Sequence, residues 1–139
     1  MNRIVLSVIS SFDSSPDVKI AQDLGQVPPV KADPGQIEKV VLNLVLNAKE
    51  ASGADCRVRI ETTAENAYVV LTVSDNGCGM SREFIAGSLF KPFKSTKTKG
   101  LGIGLYQSKM IIEAHQGKIE VESREGKGSS FRIFLPAAE

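Results

Sequence analysis

The chain has 139 residues, 42% of them apolar, with 17 basic and 16 acidic side chains, a formal net charge of +1 and two cysteines. That length and apolar share suffice for one buried core in one domain, and near-neutrality gives no electrostatic footprint for a nucleic-acid groove or an anionic membrane surface. Cys56 and Cys78 stand without a CxxC or His-rich neighbourhood, which argues against a disulfide framework and against zinc and fits a reducing cytosol.

The first apolar run, Ile4 to Phe12, is interrupted by Ser7, Ser10 and Ser11 and falls far short of the roughly 20 apolar residues of a membrane-spanning helix. No anchor is expected within the chain, and Arg3 alone ahead of the run does not make a signal peptide. Asn2 to Phe12 reads as a helix and Asp17 to Leu24 as a strand, ended before Pro28-Pro29. Asp33-Pro34 is a helix start, an Asp N-cap followed by Pro at the first helical position, and Ile37, Val40, Val41, Leu44, Val45 and Ala48 then recur at helical spacing. This helix, about 34 to 52, is stopped at Ser52-Gly53. Arg57 to Thr63 and Tyr68 to Ser74 form an expected antiparallel hairpin around Ala64-Glu65-Asn66. Residues 76 to 104, rich in glycine and lysine, carry no sustained period, and a loop of that length inside a compact domain is usually a functional lid. A second amphipathic helix, Leu105 to Ala114, stops at Gln116-Gly117, and Lys118 to Ser123 and Ser129 to Leu135 close the chain as strands around Gly126 and Gly128. Strands and helices alternate without a βαβ repeat, which predicts an α+β sandwich rather than a doubly wound sheet.

Chemistry concentrates in four places. On the first long helix, at about 100° per residue, Asn43, Asn47 and Glu50 fall within about 60° of one another beside the apolar face. Asn is a poor helix former, and the two amides either sit in solvent or offer neutral oxygen to a hard cation such as magnesium. Directly after a predicted strand comes Asp75-Asn76-Gly77-Cys78-Gly79. These residues make ordinary turns. A carboxylate there can also accept a hydrogen bond from the exocyclic amine of adenine, where guanine would present a repelling carbonyl oxygen, and Gly77 and Gly79 would let backbone approach a flat ring. Gly100-Leu101-Gly102-Ile103-Gly104-Leu105 runs into a helix, whose free N–H groups and partial positive charge suit a phosphate chain. Its glycine spacing is neither the dinucleotide fingerprint nor the P-loop. Before it, in Phe90-Lys91-Pro92-Phe93-Lys94-Ser95-Thr96-Lys97, two aromatics flank a proline and serve either as core or as the docking face of a lid.

In this order the four segments resemble the boxes of the ATPase superfamily of gyrase, heat-shock chaperones, mismatch-repair ATPases and histidine kinases: an Asn box (Asn43, Asn47), a first glycine box (Asp75 to Gly79), a phenylalanine box (Phe90-Lys91-Pro92-Phe93) and a second glycine box (Gly102-Ile103-Gly104). The ending Gly117 to Ser123, then Gly126-Lys127-Gly128-Ser129-Ser130-Phe131, is similar to the final strand pair of the sensor histidine kinase branch, and Lys99 to Tyr106 is similar to the sensor kinases that accompany bacterial exosortase (PEP-CTERM) systems. The resemblance implies the Bergerat fold, a two-layer α/β sandwich with a mixed, mostly antiparallel sheet and helices on one face. It implies that Asn47 holds Mg2+, that Asp75 reads adenine, that residues 81 to 101 are the ATP lid, and that the amides of Gly102 and Gly104 with Lys97 meet the phosphates of ATP. Gly77, Gly79, Gly100, Leu101, Ile103 and Leu105 complete the implied cofactor set alongside Asn43.

In the hydrolytic relatives a Glu one helical turn before the magnesium Asn activates water; here that position is Asn43, which has no useful basicity. Transfer of the γ-phosphoryl group to a separate nucleophile is therefore expected over hydrolysis. Glu50 departs from the basic residue that some kinases carry there and resembles the nitrogen-sensor-like branch, which makes it, with Asn43, a catalytic candidate for orienting an attacking histidine. The single histidine, His115, falls where the family has a His-Gly turn; it suits a helix C-terminus and is not read as the phosphate acceptor. The resemblance implies one ATP-binding catalytic domain over 1–139, a monomer and a cytoplasmic part of its protein, with the phosphoacceptor and dimerisation helices expected upstream and a response regulator downstream. The alternatives are an anti-sigma-factor serine kinase of the same fold and a nucleotide-binding module without catalysis.

Overall fold

The computed structural model describes residues 1–12, 18–52, 55–87 and 103–138. Along these run α1 (Asn2–Ser10), β1 (Val18–Leu24), α2 (Pro34–Ser52), β2 (Cys56–Glu65), β3 (Tyr68–Asp75), α3 (Arg82–Gly87), α4 (Ile103–Ala114), β4 (Lys118–Arg124) and β5 (Gly128–Pro136). One five-stranded sheet has the order β1-β2-β3-β5-β4. β1 pairs parallel to β2, so α2 is the crossover of a single βαβ unit, and the other three pairings are antiparallel. The expected mixed, mostly antiparallel sandwich is the observed one.

α2 begins as its sequence dictates. The Asp33 carboxylate Oδ1 accepts from the amides of Gly35 (2.9 Å) and Gln36 (3.2 Å), satisfying two of the helix's orphan donors. All six apolar residues of the predicted stripe, Ile37 to Ala48, are buried. They meet a sheet face whose inward row on β2 is Cys56, Val58, Ile60 and Thr62, while Arg57 and Arg59 between them are exposed. α2 packs between α1 and α4. α1 contributes Val5, Val8 and Phe12 to the same core, and its start is tied to the sheet by Thr62, which donates to Asn2 Oδ1 (2.8 Å) and accepts from the Gly25 amide (3.0 Å), while Asn2 Nδ2 donates to the Gly25 carbonyl (2.8 Å).

Three details depart from expectation. The β2–β3 hairpin turns over two residues, Asn66-Ala67, rather than three, because Asn66 takes the left-handed conformation (φ 56°) and lets Glu65 pair with Tyr68. α4 begins at Ile103, two residues before the expected Leu105, and beyond its end Gln116 rather than Gly117 takes that conformation (φ 63°). Gly117 is needed for space, since a Cβ there would lie 2.1 Å from the Phe134 carbonyl oxygen. Finally, the aperiodic stretch after Gly79 contains α3, capped by Ser81, whose hydroxyl accepts from the Phe84 amide at 3.1 Å. Phe84 and Ile85 pack on the core; at six residues the helix is too short to display a period. Among the described residues, no helix is long and apolar enough to cross a membrane.

Candidate functional site

Helical geometry places Asn43, Asn47 and Ala51 in one strip of α2, each four residues after the last. At one end of the strip, the start of α4 lies against Asn43: a Cβ on Gly104 would sit 3.7 Å from the Asn43 side chain, in ordinary contact, and Asn43 Nδ2 donates to the buried Ser108 hydroxyl at 3.4 Å. At the other end, the glycine loop after β3 docks on Ala51, whose carbonyl accepts from the Cys78 amide at 3.1 Å. Asn47, half-buried and already engaged with a partner, therefore stands between the N-terminus of α4 and the loop that follows Asp75. Glu50 is exposed on the same side and is likewise engaged.

Asp75 is held from the loop that follows β3 and from β5. Its Oδ1 accepts from the Gly77 amide (2.8 Å) and from the Ser129 amide at the start of β5 (3.3 Å). These bonds aim the carboxylate along the inner, helix-covered face. Among the described residues it opens there on a cavity of about 680 Å3, walled by Ile85 and Ala86 of α3, Val121 and Ser123 of β4 and Ser129 of β5, with Arg82, Arg124 and Lys127 also lining it. A cavity whose wall mixes apolar side chains with serines and charged groups, and onto which a carboxylate opens, suits a flat polar heterocycle that bears a donor.

The glycines of the first box are demanded by the protein's own packing. A Cβ on Gly79, which adopts φ +71°, would come within 1.9 Å of the Arg124 carbonyl oxygen, and one on Gly77 within 2.9 Å of both Ala51 and the Asp75 carboxylate. The Gly126 amide donates to the Cys78 carbonyl at 2.6 Å, so the β4–β5 turn and the glycine loop interlock. Below them Cys56 is buried and free; burial, reinforced by the charges of Asp75 and Asp55 and opposed by Ser52 and Lys49, pushes its thiol above the ordinary value of 9.0. Cys78 is free and exposed.

Of the sequence-derived set, Asp75 lines this cavity, Gly77 and Gly79 lie in the loop that follows it, and Gly104 lies against Asn43, one helical turn before Asn47, while Ile103 and Leu105 belong to the first turn of α4. Lys97, Gly100, Leu101 and Gly102, the phenylalanine box with Phe90 and Phe93, and most of the expected lid lie outside the described residues. His115 fastens α4 to the far end of α2: its Nδ1 bonds the Ile111 carbonyl (2.8 Å) and its Nε2 accepts from the Asp33 amide (3.2 Å). Sequence reasoning missed Ser123 and Ser129. The signal was present: the inward rows of β4 and β5 change from Ile119, Val121, Ile133 and Phe131 to Ser123 and Ser129, as a core face does where it becomes the wall of a polar site.

Residues 32–139 match the family described as histidine kinase-, DNA gyrase B- and HSP90-like ATPase. The chain belongs to this ATPase family. It is 35% identical to sporulation kinase E of Bacillus subtilis over 140 residues, covering 99% of this chain and 19% of that protein. It is 38% identical to sensor histidine kinase ZraS of Escherichia coli over 110 residues, covering 79% of this chain and 23% of that protein. The chain thus spans about a fifth of the length of these curated relatives. Among solved structures, the catalytic domain of histidine kinase ThkA in a nucleotide-free form matches with a TM-score of 0.86 and 31% identity over 98% of this chain and 91% of that one. Full-length ShkA in complex with AMPPNP shares the fold, with a TM-score of 0.83 at 23% identity over 99% of this chain and 30% of that one. Membership in the ATPase family implies ATP binding.

Proposed function

We propose that the chain is the ATP-binding, phosphoryl-donating catalytic domain of a sensor histidine kinase, which passes the γ-phosphoryl group of Mg2+-ATP to a histidine on a helical domain of its own full-length protein and thence to a response regulator. The observation that carries this reading is the strip Asn43–Asn47–Ala51, flanked by the α4 start and by the Asp75 loop, in a chain that matches a histidine kinase catalytic domain over nearly its whole length.

Asp75 would accept from the adenine amine, a donor that guanine replaces with an acceptor. The amides of Gly102, Ile103 and Gly104 at the α4 start, together with Lys97, would meet the phosphates, and Gly100, Leu101 and Leu105 would border them. Asn47 would offer its amide oxygen to magnesium. Among the described residues no three His, Cys, Asp or Glu side chains gather as metal ligands, which fits an ion held mainly by phosphate oxygens and water with few protein ligands. Asn43, engaged with Ser108 and without basicity, would leave water unactivated, so the isolated domain would retain ATP with little turnover. Glu50 would help to orient the incoming imidazole. The domain would be monomeric and would work in the cytoplasm of its cell.

Sensor histidine kinases and a histidine kinase catalytic domain among the named relatives favour this reading over an anti-sigma-factor serine kinase and over a non-catalytic nucleotide module. The test is transfer of labelled γ-phosphate within the full-length protein. An acid-labile, alkali-stable phosphoryl group on a histidine upstream of this domain, lost in Asn47→Ala, is expected. An acid-stable phosphoserine on a separate protein would overturn the proposal.

A further inference from the structure

Ser123 lies on β4, outside every motif of the superfamily boxes, yet its hydroxyl makes three bonds at the wall of the adenine cavity. It accepts from the Met80 amide at 2.8 Å, donates to the Gly128 carbonyl at 3.1 Å and contacts the Ser129 hydroxyl at 2.7 Å. A hydroxyl has one hydrogen and two lone pairs. With its hydrogen given to Gly128 and one lone pair to Met80, Ser123 can meet Ser129 only as an acceptor. Ser129 must then spend its own hydrogen on Ser123. The Ser129 amide holds Asp75 Oδ1, so the two residues adjoin. Both serines line the cavity, and Ser129 is 8% exposed, so water cannot readily reverse this polarity.

We propose that Ser123 is a positioning and specificity residue of the nucleotide site: it locks Ser129 as a pure acceptor beside Asp75 and fixes the loop entering α3 through Met80. The inference rests on the reading of Asp75 as the adenine partner. A wall of two acceptors complements the exocyclic amine of adenine and repels the carbonyl oxygen that guanine places there. Without Ser123, the Ser129 hydroxyl turns freely and can donate to that carbonyl, so discrimination falls even where the fold survives.

The test is calorimetric titration of wild type, Ser123→Ala, Ser123→Thr, Ser129→Ala and the double alanine variant with ATP and with GTP, together with amide exchange at Met80. Ser123→Ala is expected to weaken ATP about tenfold, the size of one well-made hydrogen bond, to leave GTP unchanged or tighter, and to speed Met80 exchange. Ser123→Thr, which keeps the hydroxyl, should restore the ATP to GTP ratio. The two alanine effects on that ratio should be less than additive, because both act through one pair. ATP and GTP weakening in equal proportion, an unchanged ratio, full additivity, or unaltered Met80 exchange in Ser123→Ala would each overturn the role given to Ser123. Wild type without preference for ATP over GTP would instead overturn the reading of Asp75, and this inference with it.

Discussion

Gly79 and Gly126 form a matched pair that separates backbone strain from lack of room. Both take a left-handed conformation, φ +71° and +77°, and both lie in the interlock between the glycine loop and the β4–β5 turn. A Cβ on Gly126 meets nothing within 4 Å, whereas one on Gly79 falls 1.9 Å from the Arg124 carbonyl oxygen. Gly126→Ala should therefore cost only the left-handed penalty, about 1 kcal/mol. Gly79→Ala adds an overpacking cost of about 1–3 kcal/mol, because the obstacle is main chain and cannot rotate aside, for a total of about 2–4 kcal/mol. At a urea dependence of about 2 kcal/mol per molar, the midpoint should move by about 0.5 M for Gly126→Ala and by about 1–2 M for Gly79→Ala. Forcing the loop off Arg124 also strains the hydrogen bond that the Cys78 amide donates to the Ala51 carbonyl, so ATP affinity should drop at least about tenfold in Gly79→Ala and stay within about threefold in Gly126→Ala. Equal midpoints for the two variants would refute the reasoning, since they differ only in the space available.

Thr62 is 1% exposed and serves Asn2 and Gly25 at once, so Thr62→Val should cost about 1–3 kcal/mol, and combined with Asn2→Ala the loss in chemical denaturation should fall short of the sum. Asp33→Ala, which strips the cap from Gly35 and Gln36, should cost about 1 kcal/mol by the same measurement. One equivalent of a thiol-reactive disulfide reagent should label the native chain, at exposed Cys78, with Cys56 reacting only on unfolding. The folded-state pKa of Cys56 lies above 9.0, so the folded state keeps a proton that the unfolded state releases; stability should be constant below about pH 9 on this account and fall as pH rises from there through the folded value, a decline that Cys56→Ala should remove.

Much of this was legible because local chemistry and tertiary demand agree. The Asp33-Pro34 start and the apolar stripe of α2 needed no partner to be recognised, and the alternation of Cys56, Val58, Ile60 and Thr62 against exposed arginines marks a one-sided strand. Asn47 and Asp75 could be named as candidates from residue type and position. What was not legible depends on long-range approach. That Gly79 is required by Arg124, 45 residues along the numbering, and Gly117 by Phe134, cannot be read from either neighbourhood alone. α3 escaped notice because six residues give less than two turns of pattern. The parallel pairing of β1 with β2 follows from the crossover of α2 between them, which packs on β2 and β3, not from either strand's composition.

The most direct measurement is a calorimetric titration of the domain with ATP and with GTP, each with and without magnesium, on wild type and Asp75→Asn. Magnesium-dependent binding selective for ATP, abolished by the substitution and accompanied by negligible hydrolysis, is the expected result. Binding that is indifferent to the base, or that Asp75→Asn leaves intact, would contradict the assignment of this cleft as an adenine-reading phosphoryl donor.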